Sequence, residues 1–253
     1  MKLFFSSRHP LRSAILLGLL PILLATAAGV VSFVLAFNET QTLIAQTISF
    51  AISIGLGLLL VARSKLGLAA FGFRRLAPGT SPVALYFLPL LAAELLPFGN
   101  GFDLSLSLTR VGLIFLFAAV VGINEELFFR GLIFKILQTR GLKYAVIVSS
   151  LLFGIGHAFT ALSGSDPLYV LVLIIFAGLF GLICGQLVVL TKSIVPAIIW
   201  HGLHDFIASI TLETGTSLNL TLLLVQTAIL CLYAIFLWRK LQFEKAPLAI
   251  EVE

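Results

Sequence analysis

A chain of 253 residues that is 60% hydrophobic and only 11% charged, with a mean hydropathy of +1.14, lies far from the balance of a soluble domain. Its formal net charge of +5 is not the footprint of nucleic-acid binding, because no basic stripe with interleaved aromatics accompanies it. Apolar runs of about 20 residues, the length that a hydrocarbon core of about 30 Å demands of a spanning helix, fill nearly the whole chain, which leaves one integral membrane domain over 1–253 and no separate soluble module.

In chain order the hydropathy pattern predicts an all-α polytopic bundle of eight spans, near 12–37, 43–62, 82–98, 109–135, 144–162, 168–191, 194–212 and 217–238. The first follows a basic start, but it is longer than the apolar core of a signal peptide and lacks a small-residue cleavage site, so a retained helix is expected. After the second span, "RSKLGLAAFGFRRLAPG" (63–79) is basic and partly amphipathic, which fits a helix on the membrane surface or an ordinary charged loop. With the amino terminus inside, Arg63, Lys65, Arg74, Arg75, Lys135, Arg140, Lys143, Lys192, Arg239 and Lys240 all fall on the cytoplasmic side, together with the basic residues of both termini. The opposite loops hold Glu39, Asp103, Asp166 and Glu213, and Arg110 and Arg130 lie at the outer end of the fourth span and within it. This asymmetry is the positive-inside pattern and predicts that both termini are cytoplasmic.

Several smaller features have plain readings. Cys184 and Cys231 both fall within spans and suit packing rather than a disulfide or metal framework. Gly178, Gly181 and Gly185 in the sixth span suit close helix approach inside the bundle. The sequons at Asn38 and Asn219 are too short and too near the membrane to indicate glycosylation.

The chemistry begins at "INEELFFRG" (123–131), where Glu125, Glu126 and Arg130 stand inside an apolar run. A charge at a helix centre costs about 2.5–3.5 kcal/mol on insertion scales, so this group cannot face lipid. Glu126 and Arg130 are four apart and can pair along one face, whereas Glu125 is rotated by about 100° and needs another partner. An ion-pair cluster that locks helices together would satisfy this much. Later spans add "FGIGH" with His157 and "WHGLHD" with His201, His204 and Asp205. Ionisable groups delivered by three spans point to a site. His201 and Asp205 are four apart and share a face, so Asp205 is expected to hold one imidazole nitrogen and turn the other to the cavity, a role His204 lacks.

Taken together, EExxxR at Glu125, Glu126 and Arg130, FxxxH at Phe153 and His157, and HxxxD at His201 and Asp205 resemble the CPBP family of intramembrane proteases, the CAAX-prenyl-protease, Abi and bacteriocin-processing group. The resemblance centres on 109–212 and implies a helical bundle with an intramembrane cavity that cleaves membrane-associated peptides or proteins. It implies Glu125 as general base acting with His157 on water, His201 and Asp205 as oxyanion stabilisers, and Glu126 with Arg130 as a structural pair. The family motif is HxxxN/D; its eukaryotic members carry asparagine where this chain has Asp205, and a carboxylate suits an orienter of His201 or a metal ligand better than an oxyanion donor. A Zn2+ ion, if the enzyme used one, would draw on His157, His201, Glu125 and Asp205, with neutral imidazoles and a carboxylate leaving one position for water. The HExxH signature is absent.

Two other readings compete. A non-catalytic scaffold or immunity protein on the same fold would be free to lose Glu125 or His157, yet both are present. A proton-coupled transporter would be expected to show inverted repeats and broken helices, and the sequence shows neither. A bacterial plasma membrane and a peptide or protein substrate, with no nucleic acid, complete the expectation.

Overall fold

The computed structural model describes residues 8–76, 85–163, 166–212 and 216–241. Its helices are α1 (Pro10–Val34), α2 (Glu39–Arg63), α3 (Leu88–Ala93), α4 (Leu108–Glu126), a π-helical segment (Leu127–Ile133), α5 (Phe134–Leu137), α6 (Leu142–Gly156), α7 (Pro167–Thr191), α8 (Val195–Ile210) and α9 (Thr216–Lys240). Polar residues set the boundaries. Asn38 and Gln41 form a reciprocal capping box at α2, with both bonds 2.9 Å. Ser107 accepts from Arg110 N at the start of α4, and Asp166 accepts from Leu168 N and Tyr169 N at the start of α7, where Pro167 needs no partner for a missing N–H. Lys192 ends α7 in the left-handed region, at φ 59°.

Six helices are long and apolar enough to cross a membrane, among them Leu108–Arg140, which joins α4, the π segment and α5. The chain is therefore an integral membrane protein, and the predicted bundle stands with two of its eight spans altered. The span expected at 82–98 is broken where it is described: a 3-10 turn at Leu85–Phe87, the six residues of α3 and a second 3-10 turn at Leu96–Asn100. Pro97 accounts for the break, since its ring would collide with the carbonyl of Ala93, the last residue of α3. The seventh span is present as α8 but has only 16 residues.

α8 still runs from one end of the bundle to the other. Ile194 N donates to Gly72 O at 2.9 Å, Ser193 Oγ donates to Arg74 O at 2.6 Å, and Arg74 Nε donates to Lys192 O, so the start of α8 meets the 67–76 segment. At the far end Leu212 N donates to Gly101 O and Asp103 N to Ile210 O, at 3.0 and 2.9 Å. The 67–76 segment is not an amphipathic helix: Leu68–Phe71 is a short 3-10 turn between Gly67 and Gly72, at φ 75° and 86°, and hooks back onto α8.

The π segment is the hub. Leu127, Phe128, Phe129, Leu132 and Ile133 are all buried and pack with Leu17 of α1, Val61 of α2 and Val146 of α6. Apolar side chains also cover the outside, Phe33, Leu108 and Leu232 among them, as a lipid-facing surface requires.

Candidate functional site

Two close helix crossings bring the motif residues together. A Cβ at Gly122 would stand 2.9 Å from Gly202 N and 3.1 Å from Ile198 O, so α4 and α8 touch backbone to backbone one turn from Glu126 and His201. A Cβ at Gly154 would meet Ile174 O at 2.8 Å, which sets α6 against α7 beside Phe153 and His157. Any larger residue at either position would force the helices apart.

The pair predicted from spacing is present: Arg130 Nη1 lies 3.0 Å from Glu126 Oε1, and both side chains are wholly buried. Gly181 of α7 makes room for the guanidinium, since a Cβ there would be 2.8 Å from Arg130 Nη2. The other face of the guanidinium lies 4.3 Å from the centre of the Phe153 ring, a cation–π contact. Phe153 also meets His157 and His201 edge-on, at ring separations of 4.8 and 5.8 Å. The phenylalanine of the FxxxH motif is thus a shared wall between the arginine and both histidines.

His201 is oriented by Glu126, not by Asp205 as its spacing suggested. Its Nδ1 lies 2.9 Å from Glu126 Oε1, while Nε2 faces Glu125 Oε2 at 3.5 Å and Asp205 Oδ2 at 3.7 Å. The physical reason is the Gly122–Gly202 crossing, which lets a carboxylate on α4 reach across more closely than one on the same helix as the histidine. Glu126 therefore links Arg130 to His201, which extends the purely structural role expected for it. The Nδ1 contact is the hydrogen bond, and Nε2 makes none with either carboxylate as they stand; an N–H at each nitrogen, the imidazolium form, would let His201 serve both sides. Glu125 Oε2 is buried and has no hydrogen-bond partner.

Glu125 and His157 line one cavity of about 180 Å³, together with Phe129 and Phe153 and with Pro21, Ile22 and Ala25 of α1. His157 Nδ1 bonds the Phe153 carbonyl at 3.0 Å. A carbonyl only accepts, so Nδ1 carries the hydrogen, and in neutral His157 Nε2 is the acceptor.

His204 is placed away from this cluster. Its Nδ1 pairs with Glu94 Oε2 at 2.9 Å, and Trp200 Nε1 donates to Glu94 Oε1 at 2.9 Å. Glu94, 2% exposed, sits just past α3 and clamps one face of α8. Sequence reasoning did not single it out, although a lone carboxylate in "LLAAELLPF" was the available signal. Asn38 is occupied as the cap of α2, and the side chain of Asn219 lies outside the described residues. Cys184 is buried and Cys231 exposed on the outside of the bundle.

Among the described residues no three His, Cys, Asp or Glu side chains converge to hold a metal ion as they stand. The donors suggested for zinc are divided: Glu125, His201 and Asp205 surround one nitrogen, and His157 stands in the cavity wall.

A comparison with curated proteins finds no match to the chain. Residues 107–207, which carry every group of this site except Glu94 and the α1 wall, match the family described as type II CAAX prenyl endopeptidase, Rce1-like. The site-bearing stretch of the chain is therefore similar to the Rce1-like type II CAAX prenyl endopeptidase family, in agreement with the CPBP group that its three motifs resemble.

Proposed function

We propose that the protein is an intramembrane endopeptidase in which Glu125 activates water and His201 stabilises the oxyanion. The observation that carries this reading is the meeting of an unpartnered, buried Glu125 oxygen with His201 Nε2 at 3.5 Å, beside a cavity that His157 also lines. A water seated between Glu125 and His157 Nε2 loses a proton to Glu125 as its oxygen attacks the scissile carbonyl carbon. The carbonyl oxygen, now negative, accepts from the His201 Nε2–H, while Glu126 holds the opposite nitrogen. Glu125 then returns the proton to the departing amide nitrogen, the C–N bond breaks, and the second water proton passes from the new carboxylic acid to the amine, so that a carboxylate and an ammonium leave. Asp205 keeps Nε2 directed toward Glu125 before substrate arrives. Glu126 and Arg130 hold His201 in place and do not touch the reacting atoms.

The walls contributed by Pro21, Ile22, Ala25, Phe50, Phe129 and Phe159 suit an apolar or lipid-modified segment near the scissile bond. The substrate class is then a membrane-associated peptide or protein, with a prenylated carboxyl-terminal peptide the form that the family name suggests. Comparing peptide termini in membranes holding the intact protein and its E125Q variant tests the reading. Termini lost in E125Q support it; identical termini would favour a scaffold. Repeating cleavage after treatment with a zinc chelator, with and without added Zn2+, shows whether a metal contributes.

A further inference from the structure

We propose that a second cavity, at the basic end of the bundle, is a binding site for the phosphate group of an anionic lipid. This cavity, also about 180 Å³, lies between the 67–76 hook, the π segment with α5, and the end of α7. Arg74, Lys135 and Lys192 line it, with Gln138 adding an amide, and no Asp or Glu is part of its wall. Among the described residues none of the three cations has a carboxylate within ion-pair distance. Arg74 and Lys192 are exposed and Lys135 half-buried, and three like charges around one hollow make it attractive to an anion.

The hollow is built rather than incidental. Arg74 is fixed by its Nε bond to the Lys192 carbonyl and by Ser193 Oγ on its own carbonyl. Gly72 bonds Ile194 N, and its positive φ and the 2.7 Å approach of Ile194 Cγ2 exclude a side chain there. The hook therefore holds Arg74 over the turn that carries Lys192. Arg63, Lys65, Arg140 and Lys143 lie at the same end of the bundle and strengthen its positive potential. A basic hollow between helices at the membrane surface suits a lipid headgroup phosphate, and inorganic phosphate shares that chemistry. Arg130 borders the same hollow, but its guanidinium is wholly buried against Glu126, so the three other cations are the ones open to an anion.

The purified full chain is titrated with phosphatidylglycerol and with phosphatidylcholine, and retention is read by native mass spectrometry. The intact protein is expected to prefer phosphatidylglycerol. R74Q/K135Q/K192Q should weaken that binding by about fivefold per cation removed, about a hundredfold in all. R140Q/K143Q, which removes charge at the same end outside the cavity, should keep the preference. If the triple variant does not fold, K192Q alone should show about a fivefold loss. Displacement of the lipid by millimolar inorganic phosphate would identify the phosphate group itself as the ligand, and failure to displace it would assign the site to the lipid-held form. The proposal is overturned if the intact protein shows no preference, or if the control pair loses as much as the cavity variants. None of these readouts depends on proteolysis.

Discussion

Replacing Glu126 by glutamine tests the link between the buried ion pair and the candidate catalytic histidine. The carboxylate serves Arg130 at 3.0 Å and His201 at 2.9 Å through the same oxygen, with no exposure of its side chain. Glutamine keeps the shape but removes the charge, which strands Arg130 against Phe153 in a site that Gly181 leaves no wider than the guanidinium. Breaking one side of such a pair costs about 3–5 kcal/mol. For a chain of this size that is on the order of a 10 °C fall in unfolding temperature. Glu125→Gln should behave differently, because its buried oxygen has no hydrogen bond to lose and its side chain is 20% exposed. Cys184, buried beside the pair, supplies the assay: with Cys231→Ala removing the exposed thiol, a maleimide dye reports unfolding as Cys184 becomes reactive. The expected result is a stable, inactive E125Q and a destabilised E126Q. Equal losses in both, or an unshifted E126Q, would refute the assignment of separate roles to the two glutamates.

His201→Ala is expected to lower turnover by about 10²-fold or more, as loss of an oxyanion donor does, whereas His204→Ala should leave turnover largely intact; the two rates measured on one peptide decide it. The His204→Ala and Glu94→Gln changes should instead lower thermal stability, and a double-mutant cycle should show coupling between them, because each removes the same 2.9 Å contact. Gly181→Ala should cost about 1–3 kcal/mol by pushing the guanidinium off Glu126, and a variant as stable as the parent would mean that Arg130 is free to relocate. Arg75→Cys should be labelled from the cytoplasmic side and Leu104→Cys from the opposite side, since the two positions lie at the two ends that α8 joins; labelling of both from one side would overturn the topology.

The membrane character and the Glu126–Arg130 pair were legible because each follows from composition or from spacing along one helix. What was not legible depended on contacts between helices. Asp205 has the correct spacing to serve His201, yet Glu126, 75 positions away in sequence, takes Nδ1 because two glycines allow α4 and α8 to touch. The third span read as a helix because its residues are apolar, and Pro97 was given too little weight against that. Glu94 was passed over because no arginine or histidine stands near it in sequence, although Trp200 and His204 meet it in space. Gly181 does serve helix packing, facing Ser150 of α6, and it also admits the Arg130 guanidinium, which spacing along one helix does not reveal.

The shortness of α8 has a consequence for the surrounding lipid. Sixteen helical residues rise about 24 Å, against about 37 Å for the 25 residues of α7 or α9 and a hydrocarbon layer of about 30 Å. The broken 85–100 segment lies on the same flank, against α8 and α9. α8 itself is thus too short for an ordinary bilayer, while α7 and α9 are long enough to tilt within it. Hydrophobic mismatch of this kind is relieved by local thinning, at a fraction of a kcal/mol for each ångström. Thinning beside α8 would bring headgroups and water down toward the depth of His201 and Glu125, so acyl-chain length in the host membrane becomes a control on how readily a polar peptide bond reaches them.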